Sequence, residues 1–552
     1  MIKWSPLCNY THYSLLTGLS KPSELVQKCR DNKYPACGIA DYKTISGAVS
    51  FYSKCREAGI KPIIGCTFDG YTLIAKNKEG WLDLISLVSH LDEDQQLPKE
   101  LLNRICAKKN LLCIGRDESL SPISGDDFYR KSPVLMHTFY TNKEDAKLHR
   151  ILLCSKLKST LPKVSKLLSS SQTPEDVEQY RAFFEMSDFH MPDGNEIADI
   201  LLSCEDEDVD AVHEIISKCE DYEILNKPML PTFSCPKGES EEEYLKQLCR
   251  DGWRELLLNT GKVEDEEVKE SYLQRFNEEF SVIKEANLFG YFLIVRDIVQ
   301  FVQSQGWLSG PGRGSAAGCL ISYLVGITKI DPIQFDLLFE RFYNSGRNTK
   351  DHISLPDIDI DVPGKKRDEI IDYLKDKYGH HNVGQMLTFG RLQGRSALKE
   401  VLRSHEACSF SEMNAITKSI PNEADISDQL ADMDEEDRSI IKWALMNQSE
   451  ELRDFCFIND RGNLDGDYAE FFEEAIALEG TFKTQGKHAA GVVISAEKLY
   501  KVCPMVDQRS GDEKIAGLEM ADLESLGHVK FDVLGINLLD KIMKVKDLLD
   551  QT

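Results

Sequence analysis

Three aspartates alternate with β-branched residues near the middle of the chain. Asp357, Asp359 and Asp361 are each followed by isoleucine or valine. A period of two is typical of a half-buried strand, and it places the three carboxylates on one face. At a rise of about 3.3 Å per residue, alternate carboxylates lie close enough to share divalent cations, and without cations their charges repel one another. The pattern therefore predicts a Mg²⁺ site.

The same segment has two other interpretations. A strand with a solvated acidic face would show the same alternation. A calcium-binding loop would need glycine at its sixth position and glutamate at its twelfth. Counted from Asp357, those positions hold Val362 and Asp368. The calcium interpretation therefore fails, whereas the solvated face stays open on this segment alone.

A glycine-rich segment precedes the acidic one. Residues 310–315 read Gly-Pro-Gly-Arg-Gly-Ser, and the apolar residues 316–326 after them predict a helix. Backbone amides of a glycine turn and of a helix N-terminus together favour binding of an anion such as phosphate. The segment lacks the Gly-Lys-Ser/Thr ending of nucleotide-hydrolase loops, so a tight turn without a ligand remains the alternative.

A second strand pattern lies near the C-terminus. It places Lys530 and Asp532 on one face and Val529, Phe531 and Val533 on the other. The pattern offers another carboxylate beside a cation. By itself it is equally typical of an ordinary amphipathic strand.

Basic residues that could bind phosphates form local groups in an otherwise acidic chain. The formal net charge of −26 excludes a protein that covers nucleic acid with its whole surface. One group follows the acidic strand, and the other recurs at near-helical spacing: Lys365, Lys366 and Arg367, then Arg391, Arg395, Lys399 and Arg403. Solvated surface charge is the alternative interpretation of each.

Six segments, in this order, resemble the catalytic core of the C family of bacterial replicative DNA polymerases, the family of the DNA polymerase III alpha subunit. They are residues 290–295 (Gly-Tyr-Phe-Leu-Ile-Val), 310–315, 335–342 (Phe-Asp-Leu-Leu-Phe-Glu-Arg-Phe), 356–361 (Pro-Asp-Ile-Asp-Ile-Asp), 486–493 (Gly-Lys-His-Ala-Ala-Gly-Val-Val) and 530–532 (Lys-Phe-Asp). The resemblance is strong over about 270–545 and weaker over 1–90.

The resemblance implies an activity and a set of site residues. Asp357, Asp359 and Asp532 would bind two Mg²⁺ ions and catalyse attack of a primer 3′-hydroxyl on the alpha phosphate of a dNTP, with pyrophosphate leaving. Asp361 could replace one of the first two. The expected nucleotide-binding residues are Gly312, Arg313, Gly314, Ser315, Lys530 and Arg341. The expected DNA-binding residues are Lys365, Lys366, Arg367, Arg391, Arg395, Lys487 and His488.

The fold is expected to combine α/β and α+β domains. Helical patterns at 21–31 and 45–58 alternate with short apolar runs at 36–40 and 62–65, which predicts an α/β unit. The resemblance implies a PHP-like α/β barrel (the polymerase and histidinol phosphatase module) at 1–235. It also implies a palm like that of polymerase-beta-type nucleotidyltransferases at 236–390 and 486–552, with a helical thumb inserted at 391–485.

The PHP-like segment departs from its family at the metal ligands. Cys8 and Tyr10 stand where a His-x-His pair is expected, the usual Asp-His reads as Asp41 followed by tyrosine, and Thr67 replaces a glutamate. These groups bind metal ions poorly, so we expect a structural scaffold without nuclease or phosphatase activity. His12, the remaining histidine nearby, is predicted to be a surface residue.

The resemblance also implies partners. Primer-template DNA and dNTPs are the expected substrates. The family continues into fingers about where this chain ends, so we expect a C-terminal portion that is either a second chain or missing from this one. A sliding clamp and a separate proofreading exonuclease would bind through that portion. Two other functions remain open, a non-catalytic assembly subunit and a PHP-type metal phosphoesterase.

The chain shows no sign of a membrane or secreted location. No run approaches the roughly 20 apolar residues that a membrane span needs, and the 16 cysteines include no Cys-x-x-Cys pair. We therefore expect no membrane partner, reduced cysteines in the core, and a cytoplasmic location in a bacterium or a phage-infected bacterium.

Overall fold

The computed structural model describes residues 4–550 except 171, 205, 345, 347–354, 434–437 and 509–512. Its strands are β1 (Cys8–Asn9), β2 (Ala36–Ile39), β3 (Lys61–Phe68), β4 (Tyr71–Ala75), β5 (Leu111–Gly115), β6 (Phe128–Arg130), β7 (His137–Thr138), β8 (Asp359–Pro363), β9 (Val383–Arg391), β10 (Phe457–Ile458), β11 (Leu464–Asp465), β12 (Phe482–Ile494), β13 (Met505–Val506), β14 (Ile515–Ala516) and β15 (Val529–Ile536).

Helices occur along the whole of the described chain. They are α1 (Pro22–Asp31), α2 (Ala48–Ala58), α3 (Lys78–Ser89), α4 (Lys99–Cys106), α5 (Ala146–Lys156), α6 (Leu161–Leu168), α7 (Glu175–Glu178), α8 (Arg181–Glu185), α9 (Gly194–Ser203), α10 (Asp206–Lys218), α11 (Glu241–Trp253), α12 (Glu266–Glu285), α13 (Phe289–Ser304), α14 (Leu320–Leu324), α15 (Arg367–Tyr378), α16 (Arg395–His405), α17 (Phe410–Thr417), α18 (Ser427–Ala431), α19 (Ile440–Asn447), α20 (Ser449–Leu452), α21 (Ala469–Leu478), α22 (Leu499–Val502), α23 (Met520–Ser525) and α24 (Asn537–Asp550). Within the described part of the chain, none of them combines the length and apolar character that a membrane crossing requires.

The chain divides into two compact units, each made of two segments. Unit 1 contains residues 1–223 and 389–486, and unit 2 contains 224–388 and 487–552. The helical segment predicted as a thumb therefore belongs to the same compact unit as the PHP-like residues. The predicted boundaries lie at 235, 390 and 485, and the naming of these segments as palm and thumb stays a prediction.

Unit 1 contains a five-stranded mixed sheet. Its strand order is β2-β3-β4-β5-β6, with β2 and β3 parallel and β4 antiparallel to both of its neighbours. β1 pairs with β7, and its neighbourhood is joined to β2 by the hydrogen bonds from Gly38 N to Pro6 O (2.7 Å) and from Ala40 N to Asn9 O (2.9 Å). The predicted alternation of helices and strands is confirmed by α1, β2, α2 and β3.

The mixed α/β class predicted for the fold is also confirmed. Within the described residues, however, the strands of the PHP-like segment form an open five-stranded sheet and the pair of β1 with β7, and they do not close into a ring. The barrel was implied by the resemblance, whereas the sequence pattern itself predicted only the alternation of helices and strands. Closure depends on pairing between sequence-distant strands, which that pattern does not specify.

His12 is buried in unit 1, and its prediction as a surface residue was wrong. Its ring stacks on Phe482 with centroids 4.0 Å apart, and Tyr13 contacts both rings edge-on. Burial lowers the pKa of His12 to about 3, so the imidazole is neutral at ordinary pH. The aromatic partner lies 470 positions along the chain, beyond the reach of a local pattern.

Asp41 is a fully buried carboxylate in unit 1 that serves as a hydrogen-bond acceptor. It accepts bonds from the Thr11 backbone amide (2.7 Å), the Thr11 hydroxyl (2.7 Å) and the Ser14 hydroxyl (2.6 Å). Burial nevertheless raises the pKa of Asp41 from 3.8 to about 6, against the opposing effect of these bonds. Asp41 thus links the segment that follows β2 to the segment that follows β1.

Unit 2 is built on an apolar helix and the strands that carry the acidic residues. Ten of the 16 residues of α13 are buried, including Phe292, Ile294 and Ile298. This helix packs in one core with the apolar faces of β8 and β15, among them Ile360 and Phe531. The six-stranded sheet has the order β13-β14-β9-β12-β15-β8.

The 16 cysteines are free in this structure, and most of them are buried, which confirms their predicted place in the core. Burial accounts for the raised pKa of several of these thiols, such as Cys8.

We expect Asp41 to make unfolding of unit 1 depend on pH. The unfolded chain loses this proton near pH 3.8 and the folded protein near pH 6, so the folded state binds more protons between these values. Its contribution to the unfolding free energy therefore falls as the pH rises through this range, by about 3 kcal/mol in all. Urea unfolding at pH 4.5 and pH 7 should show that Asp41→Asn loses this dependence.

The matched control is Asp31→Asn, which removes an exposed carboxylate at the end of α1. An identical pH dependence in the parent and in Asp41→Asn would contradict the assignment.

Candidate active site

Parallel pairing of β8 with β15 brings the two acidic segments together. Asp359 lies directly opposite Asp532, and the pairing continues to Pro363 opposite Ile536. On its other edge β15 pairs antiparallel with β12, with Gly491 opposite Asp532. Val529, Phe531 and Val533 point into the core, as the alternation predicted.

Three carboxylates converge at this point. One oxygen each of Asp357, Asp359 and Asp532 lies within 4.8 Å of the others. Asp357 precedes the first residue of β8 and is exposed, whereas Asp359 and Asp532 are partly buried. Asp361 lies outside this group, opposite Leu534. The structure thus brings together the three residues predicted as metal ligands and keeps the fourth aspartate apart.

Two basic side chains lie beside the carboxylates. Lys530 Nζ is 3.0 Å from Asp532 Oδ2 and 3.5 Å from Asp357 Oδ1. Arg313 Nε is 3.5 Å from Asp359 Oδ2 and 3.3 Å from Asp361 Oδ1. These cations reduce the repulsion among the carboxylates, and in a partly buried site such attraction is stronger than in bulk water.

The pKa of Asp359 is raised. Burial is the largest cause, and the charges of Asp357, Asp532 and Asp361 act in the same direction, against the opposing effect of Arg313. Burial lowers the pKa of Lys530, but its hydrogen bond to Asp532 and the charges of Asp532 and Asp357 outweigh it, and the net shift is upward. The site therefore favours added positive charge.

The glycine-rich loop lies against the acidic strand. The Gly310 amide donates to the Asp361 carbonyl oxygen at 3.0 Å, and a Cβ atom at Gly310 would lie only 2.6 Å from Asp361 Cβ. Gly312 and Gly314 have φ values of 100° and 64°, in the left-handed region that favours glycine. A Cβ atom at Gly314 would lie 3.8 Å from Asp359 Oδ2, so this loop borders the carboxylate group.

The helix predicted after this loop is shorter than expected, and its N-terminus is already occupied. Residues Gly314–Gly318 form a 3₁₀ turn, and α14 begins only at Leu320. The amides of Leu320 and Ile321 each donate to a carboxylate oxygen of Glu279 at 2.9 Å. The prediction that a helix N-terminus offers free amides to phosphate was therefore wrong, because a buried glutamate binds them.

Glu279 is a structural residue that the sequence analysis missed. It is fully buried on α12, where Arg275 Nε donates to it at 2.7 Å, and Arg275 also donates to the carbonyl oxygens of Gly318 and Leu337 at 2.8 Å. Burial raises the pKa of Glu279. The helical spacing indicated its burial, because Glu279 falls on the same face of α12 as the buried residues Tyr272 and Ile283.

Tyr291 supports the start of the acidic strand. Its hydroxyl oxygen accepts a hydrogen bond from the Ile358 amide at 3.3 Å, and its ring stacks on Phe531 with centroids 5.4 Å apart. It therefore contacts both strand segments that carry the carboxylates. Tyr291 belongs to the 290–295 segment that resembles the polymerase family, but its sequence context predicted no role for it.

Arg367 was wrongly predicted as a DNA contact. It is buried, and it donates to the Val533 carbonyl oxygen at 2.8 Å and to the Ala490 carbonyl oxygen at 3.1 Å. The two preceding basic residues are not buried. Lys365 is exposed, and the Lys366 ammonium group pairs with Glu369 at 2.7 Å. Arg367 stabilises the strands of the site, and Lys365 has the most accessible charge of the three.

The second basic group belongs to unit 1, and most of its charges already have partners. Arg395 donates to the Ile420 carbonyl oxygen, and Lys399 to the Asn414 side chain at 2.7 Å. Arg403 donates to the Ser159 carbonyl oxygen at 2.9 Å and pairs with Glu400, and Arg391 lies over the Phe482 ring. The basic side chains of α16 that were expected to bind phosphates therefore mostly form contacts within the protein. Arg391 and Arg395 remain exposed, and their role as DNA contacts stays a prediction.

The remaining predicted residues lie in unit 2. Lys487 is exposed on β12, and His488 Nδ1 accepts hydrogen bonds from the amides of Ala490 (3.3 Å) and Gly491 (3.0 Å). Arg341 is exposed at the end of a 3₁₀ turn and forms no ion pair with another described residue. Ser315 is partly buried in the turn after Arg313.

The donor set fits a hard divalent cation. Carboxylate oxygens are the ligands that Mg²⁺ prefers, and two of the three carboxylates are held by strand pairing. Asp357, Asp359 and Asp532 are the residues that would bind it. The PHP-like positions offer a different set, because the Thr67 hydroxyl donates to the Ala40 carbonyl oxygen at 2.8 Å and burial raises the pKa of Tyr10.

Sequence comparison finds two families in the chain. The profile of the bacterial DNA polymerase III alpha NTPase domain matches residues 243–535, more than half of the chain, and that of the PHP domain matches residues 7–126. The first match includes the three carboxylates, the glycine-rich loop and Lys530. The second includes Cys8, Tyr10, Asp41 and Thr67.

Whole-chain relatives agree with these matches. The DNA polymerase III alpha subunit of Pseudomonas fluorescens is 30% identical over 583 residues, which cover 96% of this chain and 47% of that protein. Those of Staphylococcus epidermidis and Thermus aquaticus are also 30% identical, over 97% and 98% of this chain and 47% and 51% of the relatives. The chain therefore spans about half the length of the relatives it matches.

We expect Glu279→Gln to destabilise unit 2 by about 3 kcal/mol. The amide would leave Arg275 without its counter-charge and would place an N–H group against the donors of Leu320 or Ile321. Urea unfolding followed by tryptophan fluorescence, to which Trp253 and Trp307 of unit 2 contribute, measures the change. Glu278→Gln, an exposed neighbour on α12, is the control, and equal stabilities of the two variants would contradict the assigned role.

We expect Asp359→Asn and Asp532→Asn each to weaken binding of Mn²⁺, used as a probe for Mg²⁺, at least tenfold. Each substitution removes a charged ligand and one of the two carboxylate partners of a nearby cation. Electron paramagnetic resonance of free Mn²⁺ gives the affinity. Asp368→Asn, an exposed carboxylate on α15, should bind like the parent. Unchanged affinity in both site variants would exclude this metal site.

Proposed function

Because the chain belongs to the bacterial DNA polymerase III alpha family, we propose that it carries the nucleotidyl-transfer site of a DNA-directed DNA polymerase. The reaction adds a dNTP to a primer 3′-hydroxyl opposite a DNA template and releases pyrophosphate. The observation that carries the proposal is the convergence of Asp357, Asp359 and Asp532 beside the glycine-rich loop.

The proposed cofactor is a pair of Mg²⁺ ions held by Asp357, Asp359 and Asp532. When bound, the ions supply charge that favours deprotonation of the primer hydroxyl and stabilises the reacting phosphates. Asp359 and Asp532 are directly opposite each other in the sheet, so their spacing is set by backbone hydrogen bonds. Asp357 precedes the strand and is more exposed, which leaves it accessible to substrate-bound ions.

The chain's own cations would bind the triphosphate. Arg313 projects from the glycine-rich loop and is about half exposed, so its guanidinium can exchange Asp359 and Asp361 for phosphate oxygens. Lys530 is less exposed and lies between Asp532 and Asp357, where it limits their repulsion. Gly312 and Gly314 allow the backbone to come close to a ligand because they carry no side chain.

Primer-template DNA is the proposed macromolecular substrate. Exposed Lys365 and Lys487 belong to the same unit as the carboxylates and supply positive charge for backbone phosphates. Arg367 is excluded from this set by its burial. With a net charge of −26, the chain depends on such local groups.

The portion that corresponds to the unmatched half of the relatives, carried by a second chain or missing from this one, is the proposed partner. On α24, Leu538, Ile542, Val545 and Leu549 recur at helical spacing with exposed side chains, and this apolar face is the surface we propose for its docking. The sliding clamp, the proofreading exonuclease and the cytoplasmic location stay predictions.

The competing function is a non-catalytic assembly subunit. It would not need three carboxylates held at metal-binding separation, with two compensating cations beside them. The carboxylate geometry favours catalysis for this reason, and a rate measurement decides between the two functions.

We expect Asp359→Asn to lower primer extension at least about 100-fold, because a lost metal ligand removes several kcal/mol of transition-state stabilisation. The assay measures dNTP incorporation into primed DNA with Mg²⁺. It is run with the chain alone and with an added C-terminal half of the Pseudomonas fluorescens relative. Asp368→Asn is the control and should retain the parent rate.

Two results would contradict the proposal. One is incorporation by Asp359→Asn at the parent rate. The other is absence of incorporation by the folded parent in both arms, which would favour the assembly subunit. Incorporation only in the arm with the added half would assign the missing contribution to that partner.

A further inference from the structure

A cleft of about 400 Å³ opens in unit 1, the unit that does not contain the three carboxylates. Its walls come from the loop before β7 and from β3, β4 and β5. Tyr10, Tyr42, Thr72, Arg116, Lys131 and His137 are among the residues that line it. We call it the Lys131 cleft. Its volume falls in the range of small-molecule sites, which is about 300–1,000 Å³.

The Lys131 cleft has an excess of positive charge. Arg116 and Lys131 are exposed, and neither forms an ion pair with another described residue. Asp69, the acidic side chain found along the described lining, is already paired with Lys43 at 2.7 Å and accepts a hydrogen bond from the Tyr42 hydroxyl. Two cations are thus left without a counter-ion in a concave site.

A directional chain of hydrogen bonds runs from Lys131 into the core. Lys131 Nζ lies 3.4 Å from His137 Nδ1, and His137 Nε2 lies 3.2 Å from the Thr72 hydroxyl. The Thr72 and Thr67 hydroxyls are 2.9 Å apart, and Thr67 donates to the Ala40 carbonyl oxygen at 2.8 Å. Because Lys131 can only donate and the carbonyl can only accept, every bond in the chain has one direction.

The direction of these hydrogen bonds fixes the protonation state and the tautomer of His137. Its Nδ1 must accept from Lys131 and its Nε2 must donate to Thr72, which describes a neutral ring with no free lone pair. Burial, followed by the charges of Lys131 and Arg116, lowers the pKa of His137 to about 3. The His137 ring therefore accepts a hydrogen bond from the Lys131 ammonium group, and neither ring nitrogen is free to bind a metal ion.

We propose that the Lys131 cleft binds a phosphate dianion, free or as a monoester, directly through Lys131 and Arg116 and without a metal ion. The planar guanidinium of Arg116 can pair with two phosphate oxygens, and the ammonium of Lys131 contributes the second charge. Tyr10 and Tyr42 provide ring surface and hydroxyl groups for the organic part of a monoester. The proposal does not depend on the polymerase activity.

Isothermal titration of the full chain tests the proposal, with inorganic phosphate and dAMP as separate probes in buffer containing EDTA. We expect binding of at least one probe, weakened about tenfold or more in Lys131→Ala and in Arg116→Ala, because each loses a charge-assisted contact. Arg130→Ala is the matched control, since it removes the same charge from the neighbouring exposed residue outside the cleft. Lys131→Gln, which keeps most of the side-chain length, serves if Lys131→Ala misfolds.

The outcomes separate the sources of phosphate. Tighter binding of dAMP would support a nucleoside monophosphate as the ligand class, and equal binding would support free phosphate. The proposal is overturned if neither probe binds in the EDTA buffer, or if Lys131→Ala and Arg116→Ala bind as tightly as Arg130→Ala.

Discussion

Electrostatic repulsion among carboxylates is the constraint around which unit 2 is organised. Parallel pairing of β8 with β15 fixes Asp359 opposite Asp532, and Asp357 is close to both. Like charges at such separations destabilise a fold unless positive charge is supplied. Lys530 and Arg313 supply part of it. The remaining negative charge favours a bound cation, and the proposed nucleotidyl transfer depends on this property.

Buried charges hold the backbone around this site. Arg367 donates to carbonyl oxygens on both β15 and β12, and Glu279 accepts the amides at the start of α14. Neither residue touches the carboxylate group, yet each fixes a segment next to it. Burying a charged group costs free energy. Removing it afterwards also destabilises the fold, because its partners are left buried without their hydrogen bonds. This rigidity keeps ligands of separate segments in place.

Unit 1 has polar groups at positions where the resemblance to the PHP module predicted metal ligands, and these groups form hydrogen bonds within the protein instead. Asp41 accepts three hydrogen bonds from two residues, and Thr67 belongs to a chain that ends at a carbonyl oxygen. His12 packs in an aromatic cluster. Thr67 and Tyr42, which stand at two of these positions, donate hydrogen bonds to the Ala40 carbonyl oxygen and to Asp69. The positive charge of the cleft now comes from Lys131 and Arg116, which are side chains of the protein itself.

Local alternation in the sequence determined which side chains face the core and which face the site, as Phe531 and Asp532 illustrate. Motif order pointed to the family and to the three carboxylates, because backbone periodicity and short spacings are local properties. Only the tertiary structure decided that Arg367 is buried, that Glu279 occupies the helix N-terminus and that His12 lies against Phe482. Those outcomes depend on which distant segments meet, and a charged residue has the same local signature whether its partner is water or a buried backbone group.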